Sequence, residues 1–159
     1  MERSDYTELY FTDETRAQMT ADRVAPALAA IRALPGVAAA VWAPDLERGT
    51  GLPEPLLSAA RASHVPDRSG DITIVPARNW IFVLGNDATG GDATTHGSLN
   101  DYDQHVPLVF FGAPFAPGRY QTPATPADAA PTLAATVGVA ITGVEGHPLT
   151  AAARVPPAK

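Results

Sequence analysis

Strands that alternate with helices along this sequence predict an α/β layer fold with a mixed or largely parallel sheet. Three features support this prediction: short apolar runs bounded by turn residues, one long helical stripe, and a late helix with clear start and stop signals. With 159 residues, of which 45% are hydrophobic, the chain can bury one ordinary core. We therefore expect about one domain, without an internal repeat or a linker.

The first predicted elements are a short strand and an amphipathic helix. Residues 9–11 form an aromatic strand candidate, and Thr12 or Asp13 can cap the next helix by accepting hydrogen bonds from free backbone N–H groups. The helix has an apolar stripe at three- and four-residue steps, made of Ala17, Ala21, Val24, Leu28, Ile31 and Leu34. Because a proline removes a ladder hydrogen bond and clashes with the preceding turn, Pro26 predicts a kink or a restart near Ala25.

Apolar runs in the rest of the chain predict further strands around one short helix. Residues 37–42 are short, apolar and bounded by breakers, which favours a buried strand, although their alanines leave a helix open. A short helix is expected over residues 53–64. Residues 71–76 are rich in β-branched side chains and favour a strand, and residues 80–84 continue as another extended piece. Residues 106–111 are continuously apolar, as buried parallel strands tend to be.

The last helix has the clearest signals. Thr125 can cap it, Pro126 occupies its first position, and Asp128 lies at its third position beside the positive end of the helix dipole. The face that we expect to be buried consists of Ala130, Leu133 and Val137. Gly138 then ends the helix.

Composition excludes several classes of function. The net charge of −6 and the scattered basic residues argue against a nucleic-acid-binding face, which needs clustered positive charge. No apolar stretch approaches the roughly 18 residues of a membrane span, and the start lacks the basic and then apolar pattern of a signal peptide. Without cysteine, disulfides, thiolate zinc sites and a cysteine nucleophile are excluded, so a metal would need N and O ligands.

The candidate site lies in a long loop over residues 85–104, and loops of this length in a compact domain are usually functional or disordered. If residues 101–105 are extended, Asp101, Asp103 and His105 project from the same side. Together with His96 they would form an oxygen and nitrogen cluster suited to zinc or another divalent ion. Carboxylates that cap turns and histidines that bond the backbone explain the same residues, so spacing alone leaves both interpretations open.

Other chemistries fit less well. A triad of Ser98, a loop histidine and Asp101 lacks the Gly-x-Ser-x-Gly elbow of a serine hydrolase. The glycines match neither a Walker nor a dinucleotide-binding pattern. His64, near a helix end, is expected to be a cap or a surface group, and His147 is expected to belong to a turn.

The loop and the strand after it resemble a known family. Residues 94–98 (Thr-Thr-His-Gly-Ser) and 101–112 closely resemble the C-terminal signature of the alkaline phosphatase superfamily, in the branch of bacterial phosphatases and type I phosphodiesterase/nucleotide pyrophosphatase-like proteins. Further similar pieces follow the same order, at residues 34–37, 69–75, 125–133 and 145–146. The resemblance implies that residues 1–159 are one C-terminal portion of an alkaline-phosphatase-like three-layer α/β/α sandwich.

The resemblance also implies a chemistry. Such enzymes hydrolyse small phosphoesters, as phosphomonoesterases or phosphodiesterases, with two zinc ions that flank a threonine or serine nucleophile. The histidine of the Thr-His-Gly segment is a zinc ligand in the family, which assigns that role to His96. Thr95, Asp101, Asp103 and His105 are then expected to shape and support the loop.

This sequence departs from the family in length. The nucleophile and the other metal ligands of family members lie in an N-terminal portion without a counterpart here, and a catalytic zinc needs about three protein ligands. We therefore expect a C-terminal fragment of a phosphoester hydrolase that is inactive alone. The alternatives are a non-catalytic remnant or partner-binding module that completes an N-terminal half in trans, or a plain structural domain. Family members are often exported.

Overall fold

The structure is a computed structural model that describes residues 3–5, 7–82 and 96–153, the first three by their backbone alone. Two compact units divide the chain, Met1–His105 and Val106–Lys159. The strands are β1 (Arg3–Asp5), β2 (Glu8–Tyr10), β3 (Val37–Trp42) and β4 (Ile72–Pro76). The helices are α1 (Asp13–Gln18), α2 (Ala21–Arg32), α3 (Ala43–Glu47), α4 (Leu56–Ser63), α5 (Asp101–Gln104) and α6 (Ala129–Thr136), with a 3₁₀ turn at Pro126–Asp128. The expectation of a single portion over residues 1–159 stays a prediction.

The four strands of the first unit form one sheet in the order β1-β2-β4-β3, and every pair is antiparallel. The expectation of a mixed or largely parallel sheet is therefore wrong for the described residues. Its basis was the alternation of strands with helices, which does not fix the direction in which strands pair. The continuous apolar character of the strands reflects burial on both faces of the sheet.

Both faces of this sheet are indeed covered. Neighbouring residues of β3, Ala40 and Val41, belong to different core clusters because successive side chains point to opposite faces. One cluster consists of Phe11, Val24, Leu28, Ala40 and Ile72, and the other consists of Val41, Leu46, Leu52, Ala60 and Val75. The strands predicted over residues 37–42 and 71–76 are thus confirmed as β3 and β4.

The predicted long helix is two helices, and the break is not at the proline. Thr12 caps α1 by accepting a hydrogen bond from the backbone N–H of Thr15 at 3.2 Å. The helix ends before Met19, and α2 restarts after Thr20, so that Pro26 lies inside α2. The prediction of a restart near Ala25 was wrong. Helix α2 has already begun at Ala21, and it continues through Pro26 in its second turn.

The predicted apolar stripe is buried only where it faces the sheet. Val24 and Leu28 are buried and Ile31 is half-buried, whereas Ala17, Ala21 and Leu34 are exposed. Leu34 lies beyond the end of α2, and the short helix α1 buries no residue. The helix predicted over residues 53–64 is confirmed as the shorter α4, which buries Ala60.

A tight turn follows β4 in place of the extended piece predicted over residues 80–84. Residues 80–82 form neither strand nor helix, and residues 83–84 lie outside the described residues. The ring of Trp80 lies over Gly36, where an added Cβ would come within 2.3 Å of Cε3 of the indole. This close approach requires glycine, as does the positive φ of 81° at the same position.

In the second unit the start and stop of the last helix are confirmed. Thr125 and Asp128 form a capping box, and Gly138 has a φ of 74° just after α6. The predicted buried face is wrong: Ala130, Leu133 and Val137 are exposed, and the buried residues are Asp128, Pro131 and Thr132. Polar contacts explain the difference, because the hydroxyl of Thr132 accepts a hydrogen bond from the backbone N–H of Leu149 on that side.

Residues 106–111 were predicted to be a buried strand, and the structure contradicts this. They form neither strand nor helix, and Val109 and Phe111 are 82% and 100% exposed. The sequence pattern of a strand is present, but no neighbouring strand among the described residues pairs with it. Among all the residues that the structure describes, no helix is long and apolar enough to cross a membrane.

Candidate functional site

The candidate loop is anchored to the first unit at the end of β4. The side-chain amide of Asn100 donates to the carbonyl of Pro76 at 3.4 Å, and Leu99 packs against the second core cluster. Residues 85–104 were predicted to be a loop without regular structure, but their last four residues form the one-turn helix α5. The residues that follow Gly97 are therefore an ordered part of the first unit, held by hydrogen bonding and by apolar contact.

Helix α5 corrects the predicted geometry of the acidic residues. The backbone N–H of His105 donates to the carbonyl of Asp101 at 3.2 Å, which closes a helical turn in place of an extended strand. Residues two apart on a helix do not face each other. Asp101, Asp103 and His105 therefore do not project from one side as an extended segment would require.

Asp101 is held by the turn that follows β4. Its carboxylate accepts hydrogen bonds from the guanidinium of Arg78 at 2.5 Å and from the backbone N–H of Tyr102 at 2.9 Å. The hydrogen bond from Arg78 lowers the pKa of this carboxyl below its ordinary value. The same guanidinium lies 5.1 Å from the centre of the Tyr102 ring, and the Tyr102 hydroxyl accepts from the backbone N–H of Asn79.

Asp103 bonds the backbone of the residues before α5. Its Oδ2 accepts a hydrogen bond from the backbone N–H of Ser98 at 3.0 Å. The Ser98 hydroxyl in turn receives bonds from the backbone and the side-chain amide of Asn100. Gly97 before it has a φ of 93°, a conformation that favours glycine. No histidine in the described part of the chain bonds the Ser98 hydroxyl, so the triad geometry is absent there.

The two loop histidines are exposed, and Thr95 lies outside the described residues. Residues 96–153 and the earlier described ranges contain no group of three or more His, Asp or Glu side chains that could hold a metal ion. With Asp101 and Asp103 bound to Arg78 and Ser98, His96 offers a single imidazole, and one imidazole does not make a zinc site. The described residues therefore do not fit a complete zinc centre, and the assignment of His96 stays a prediction.

The sequence did not reveal the link between Arg78 and Asp101. These residues are 23 positions apart, and neither belongs to a motif that signals the pair. The closest signal was the position of Asp101 next to an aromatic residue, which is too common to indicate a partner.

A second cluster, also missed from the sequence, lies beside β2. The buried carboxylate of Asp71 accepts from the backbone N–H of Phe11 at 2.7 Å and from Arg16 Nε at 2.7 Å. Burial raises the pKa of this carboxyl, but the hydrogen bonds from Arg16 and Phe11 outweigh it, and the pKa is lowered overall. These residues line an open cleft of about 930 Å³ that also includes His64 and Glu47.

The remaining two histidines are each paired with a carboxylate. His64 follows α4 as its C-cap, as expected, but its ring is buried, and Nε2 lies 3.2 Å from a carboxylate oxygen of Glu47. His147 lies in the second unit, where its backbone N–H donates to Asp128 at 2.9 Å and its Nδ1 lies 3.2 Å from the same oxygen.

Asp128 is the most buried carboxylate of the second unit, with 1% of its surface exposed. It accepts hydrogen bonds from the backbone N–H groups of His147 and Thr125, which lower its pKa below the ordinary value. Gly146 makes this contact possible, since an added Cβ would lie 2.0 Å from the carbonyl oxygen of Ala127. The arrangement joins the start of α6 to the turn at residues 146–149 and has a structural role.

Comparison with known proteins relates the chain to phosphatases. No protein-family model matches it. It is 31% identical over 102 residues to alkaline phosphatase PafA of Elizabethkingia meningoseptica, covering 64% of this chain and 18% of that protein. It is 38% identical over 56 residues to alkaline phosphatase PhoK of a Sphingomonas species, covering 35% of this chain and 10% of that protein. A Myroides odoratus protein named calcium-transporting ATPase is 39% identical over 67 residues, or 42% of this chain and 12% of that protein.

Solved structures agree with these relatives. The crystal structure of wild-type PafA matches with a TM-score of 0.70 and 26% identity, covering 94% of this chain and 28% of that chain. A variant of PafA matches with a TM-score of 0.71 and 25% identity, over 92% of this chain and 28% of that chain. The chain thus spans less than a third of the length of each of these proteins, and the predicted partial α/β fold is confirmed. Sequence and structure together place this chain in the alkaline phosphatase superfamily, as a part of that fold.

Proposed function

We propose that this chain supplies part of a zinc-dependent phosphoester hydrolase and has no hydrolase activity by itself. The observation that carries the proposal is the structural match to PafA over 94% of this chain but only 28% of the enzyme. A catalytic zinc requires about three protein ligands, and the described residues offer no such group. The nucleophile and the other ligands would then come from outside these residues.

His96 is the residue that we assign to zinc. Its ring is exposed, and no hydrogen bond joins it to another residue that the structure describes. The segment after it is held by the contacts of Asp101 with Arg78 and of Asp103 with Ser98. These two contacts support a role for both carboxylates in shaping the loop. We assign Thr95 and His105 to the same supporting role from the family resemblance.

The substrate class that we propose is a small phosphoester. Two of the relatives are named alkaline phosphatases, which favours a phosphomonoester, whereas the sequence resemblance also includes the phosphodiesterase and nucleotide pyrophosphatase branch. A phosphomonoester and its matching bis-ester therefore need to be compared in the completed protein.

The test begins with the purified chain and zinc, assayed on p-nitrophenyl phosphate and bis-p-nitrophenyl phosphate. We expect no turnover of either compound. Robust turnover that is abolished by His96→Ala would overturn the proposal, because it would show a complete site in this chain. A His147→Ala variant is the control for nonspecific effects, since that exposed ring lies in the second unit.

The sequence upstream of residue 1 provides an independent test. An adjoining frame that carries an Asp, a Thr or Ser nucleophile and an Asp-x-x-x-His segment would support an enzyme that includes this chain. The second candidate function is a module that completes an N-terminal half in trans. The exposed apolar residues at 106–111 favour a partner, and a separately encoded half would distinguish this candidate.

A further inference from the structure

The open cleft beside β2, here called the Trp42 cleft, has the size of a small-molecule site. Its volume is about 930 Å³, within the range of about 300–1,000 Å³ that is usual for such sites. The described residues that line it all lie between Tyr10 and Asp71, within the first unit. They come from the ends of β2 and β3, from α1 and α3, and from the turn at residues 64–71.

One part of this lining is aromatic and apolar. Phe11 is buried, and Tyr10, Met19 and Trp42 are half-buried. Aromatic rings and a thioether offer a wide, polarisable surface to the apolar part of a ligand. The indole N–H of Trp42 forms no hydrogen bond with the residues that the structure describes. The cleft therefore suits a ligand that combines an apolar ring with polar groups.

The charged side chains of the cleft divide into paired and unpaired ones. Asp71 is bonded to Arg16, and a carboxylate oxygen of Glu47 lies 3.2 Å from Nε2 of His64. The neighbouring side chains of Asp67 and Arg68 are exposed, and neither forms an ion pair or a hydrogen bond within the described ranges. The rim thus carries one unpaired anion and one unpaired cation.

The turn that carries these two charges is held by its own hydrogen bonds. The backbone N–H groups of Arg68 and Ser69 both donate to the carbonyl of Val65, at 3.1 and 2.9 Å. The backbone N–H of Val65 in turn donates to the Ser69 hydroxyl at 3.0 Å. Asp67 has a φ of 63°, a conformation that few residues with a side chain adopt and that is more common at ligand-binding sites. The backbone under both charges is therefore fixed.

We propose that the Trp42 cleft binds a free amino acid with an aromatic side chain. The guanidinium of Arg68 would bind its carboxylate, and the carboxylate of Asp67 would bind its ammonium group. The ring would lie against Phe11, Met19 and Trp42. An aromatic acid would leave Asp67 without a partner, and an aromatic amine would leave Arg68 without one, so both charges together favour the zwitterion. This binding is independent of the hydrolase activity proposed above, and failure of either leaves the other standing.

Nuclear magnetic resonance of the full 159-residue chain tests this binding at the indole N–H of Trp42. The chain has two tryptophans, and the variant Trp80→Phe assigns their two indole resonances. L-phenylalanine should shift the Trp42 resonance in a saturable way, with a dissociation constant on the order of 1 mM. The Trp80 resonance should not shift, because Trp80 does not line the cleft. Equal shifts of both resonances, or a Trp42 shift that does not saturate, would overturn the proposal.

Two compounds that match phenylalanine test the requirement for both charges. Hydrocinnamate keeps the ring and the carboxylate without the ammonium group, and phenethylamine keeps the ring and the ammonium group without the carboxylate. Each should bind about twofold to fivefold more weakly than L-phenylalanine, as expected for the loss of one exposed ion pair. Equal or tighter binding of hydrocinnamate would show an anion site, and equal or tighter binding of phenethylamine would show a cation site. Either result would overturn the zwitterion.

Two variants assign the charges to their residues. Both positions are exposed, and asparagine tolerates the positive φ at position 67, so we expect Arg68→Gln and Asp67→Asn to fold like the parent chain. Arg68→Gln should weaken L-phenylalanine by about twofold to fivefold without weakening phenethylamine. Asp67→Asn should weaken L-phenylalanine to a similar extent without weakening hydrocinnamate.

Two control variants remove the same charges outside the cleft. Arg23→Gln and Asp22→Asn change exposed side chains of α2 that do not line the cleft, and both should bind L-phenylalanine like the parent chain. Parental binding by Arg68→Gln and Asp67→Asn would refute the assigned contacts. Tighter binding of L-phenylalanine by Asp67→Asn would also refute them, because it would show that the ligand meets this rim as an anion.

Discussion

Replacing Asp71 with alanine should destabilise the first unit through one buried hydrogen bond above all. The Asp71 carboxylate accepts from the backbone N–H of Phe11 at 2.7 Å, and both residues are buried. Leaving a buried donor unpaired costs about 1–3 kcal/mol. Arg16, the second partner, has a side chain that is 51% exposed, so solvent screens the ion pair and its loss adds at most about 1 kcal/mol. We expect a total loss of about 1–4 kcal/mol.

The assay is urea unfolding followed by tryptophan fluorescence. Both tryptophans, Trp42 and Trp80, lie in the first unit, so the signal reports that unit. Asp13→Ala is the matched control, because Asp13 also bonds Arg16 at 2.9 Å but its side chain is 98% exposed. The reasoning would be refuted if both variants lost equal stability, or if Asp71→Ala matched the parent chain.

The pH dependence of the same carboxyl has a definite sign. The pKa of Asp71 is lowered in the folded protein, so its stabilising effect is complete above the ordinary carboxyl pKa. The effect is lost as the pH falls through the lowered pKa, because the protonated form accepts these bonds less well. Asp71→Ala should therefore show a flatter fall in stability between neutral and acidic pH than the parent chain.

Three further predictions concern the second unit and the loop. Hydrogen bonds from the backbone N–H groups of His147 and Thr125 lower the pKa of Asp128, so protonation of this carboxyl in acid should weaken the protection of these two amides from hydrogen exchange. Asp128→Asn should remove this pH dependence of their protection. Gly146→Ala forces a Cβ against the Ala127 carbonyl and should cost about 1–3 kcal/mol, measured as exchange in α6, whereas parental protection would contradict that contact. His96→Ala should change the free energy of unfolding in urea by less than about 0.5 kcal/mol, since the ring is exposed, and a larger loss would show a structural role.

Signals from residues close together in the sequence were sufficient to predict a short apolar strand and a helix cap. Residues 37–42 were predicted as a strand and form β3, and Thr125 with Asp128 forms the predicted cap. The same local signals could not locate the break after α1, because the restart at Thr20 depends on how α2 packs against the sheet.

Tertiary contacts decided the predictions that failed. The buried face of α6 follows from polar bonds of Asp128 and Thr132 to a turn at residues 146–149, about which a hydrophobic pattern says nothing. Residues 106–111 have the pattern of a strand, but pairing requires a neighbour that the described residues do not supply. Of the loop, the resemblance gave His96 a role, whereas the contact of Asp101 with Arg78 required the structure.

The contacts between the turn after β4 and helix α5 also join two distant points of the chain. Arg78 bonds Asp101 and Asn79 bonds Tyr102, each across 23 positions. The entropy cost of bringing two points of a chain together rises by only about 0.6 kcal/mol for each doubling of the length between them. The separation itself therefore adds little to the entropy that these contacts must offset.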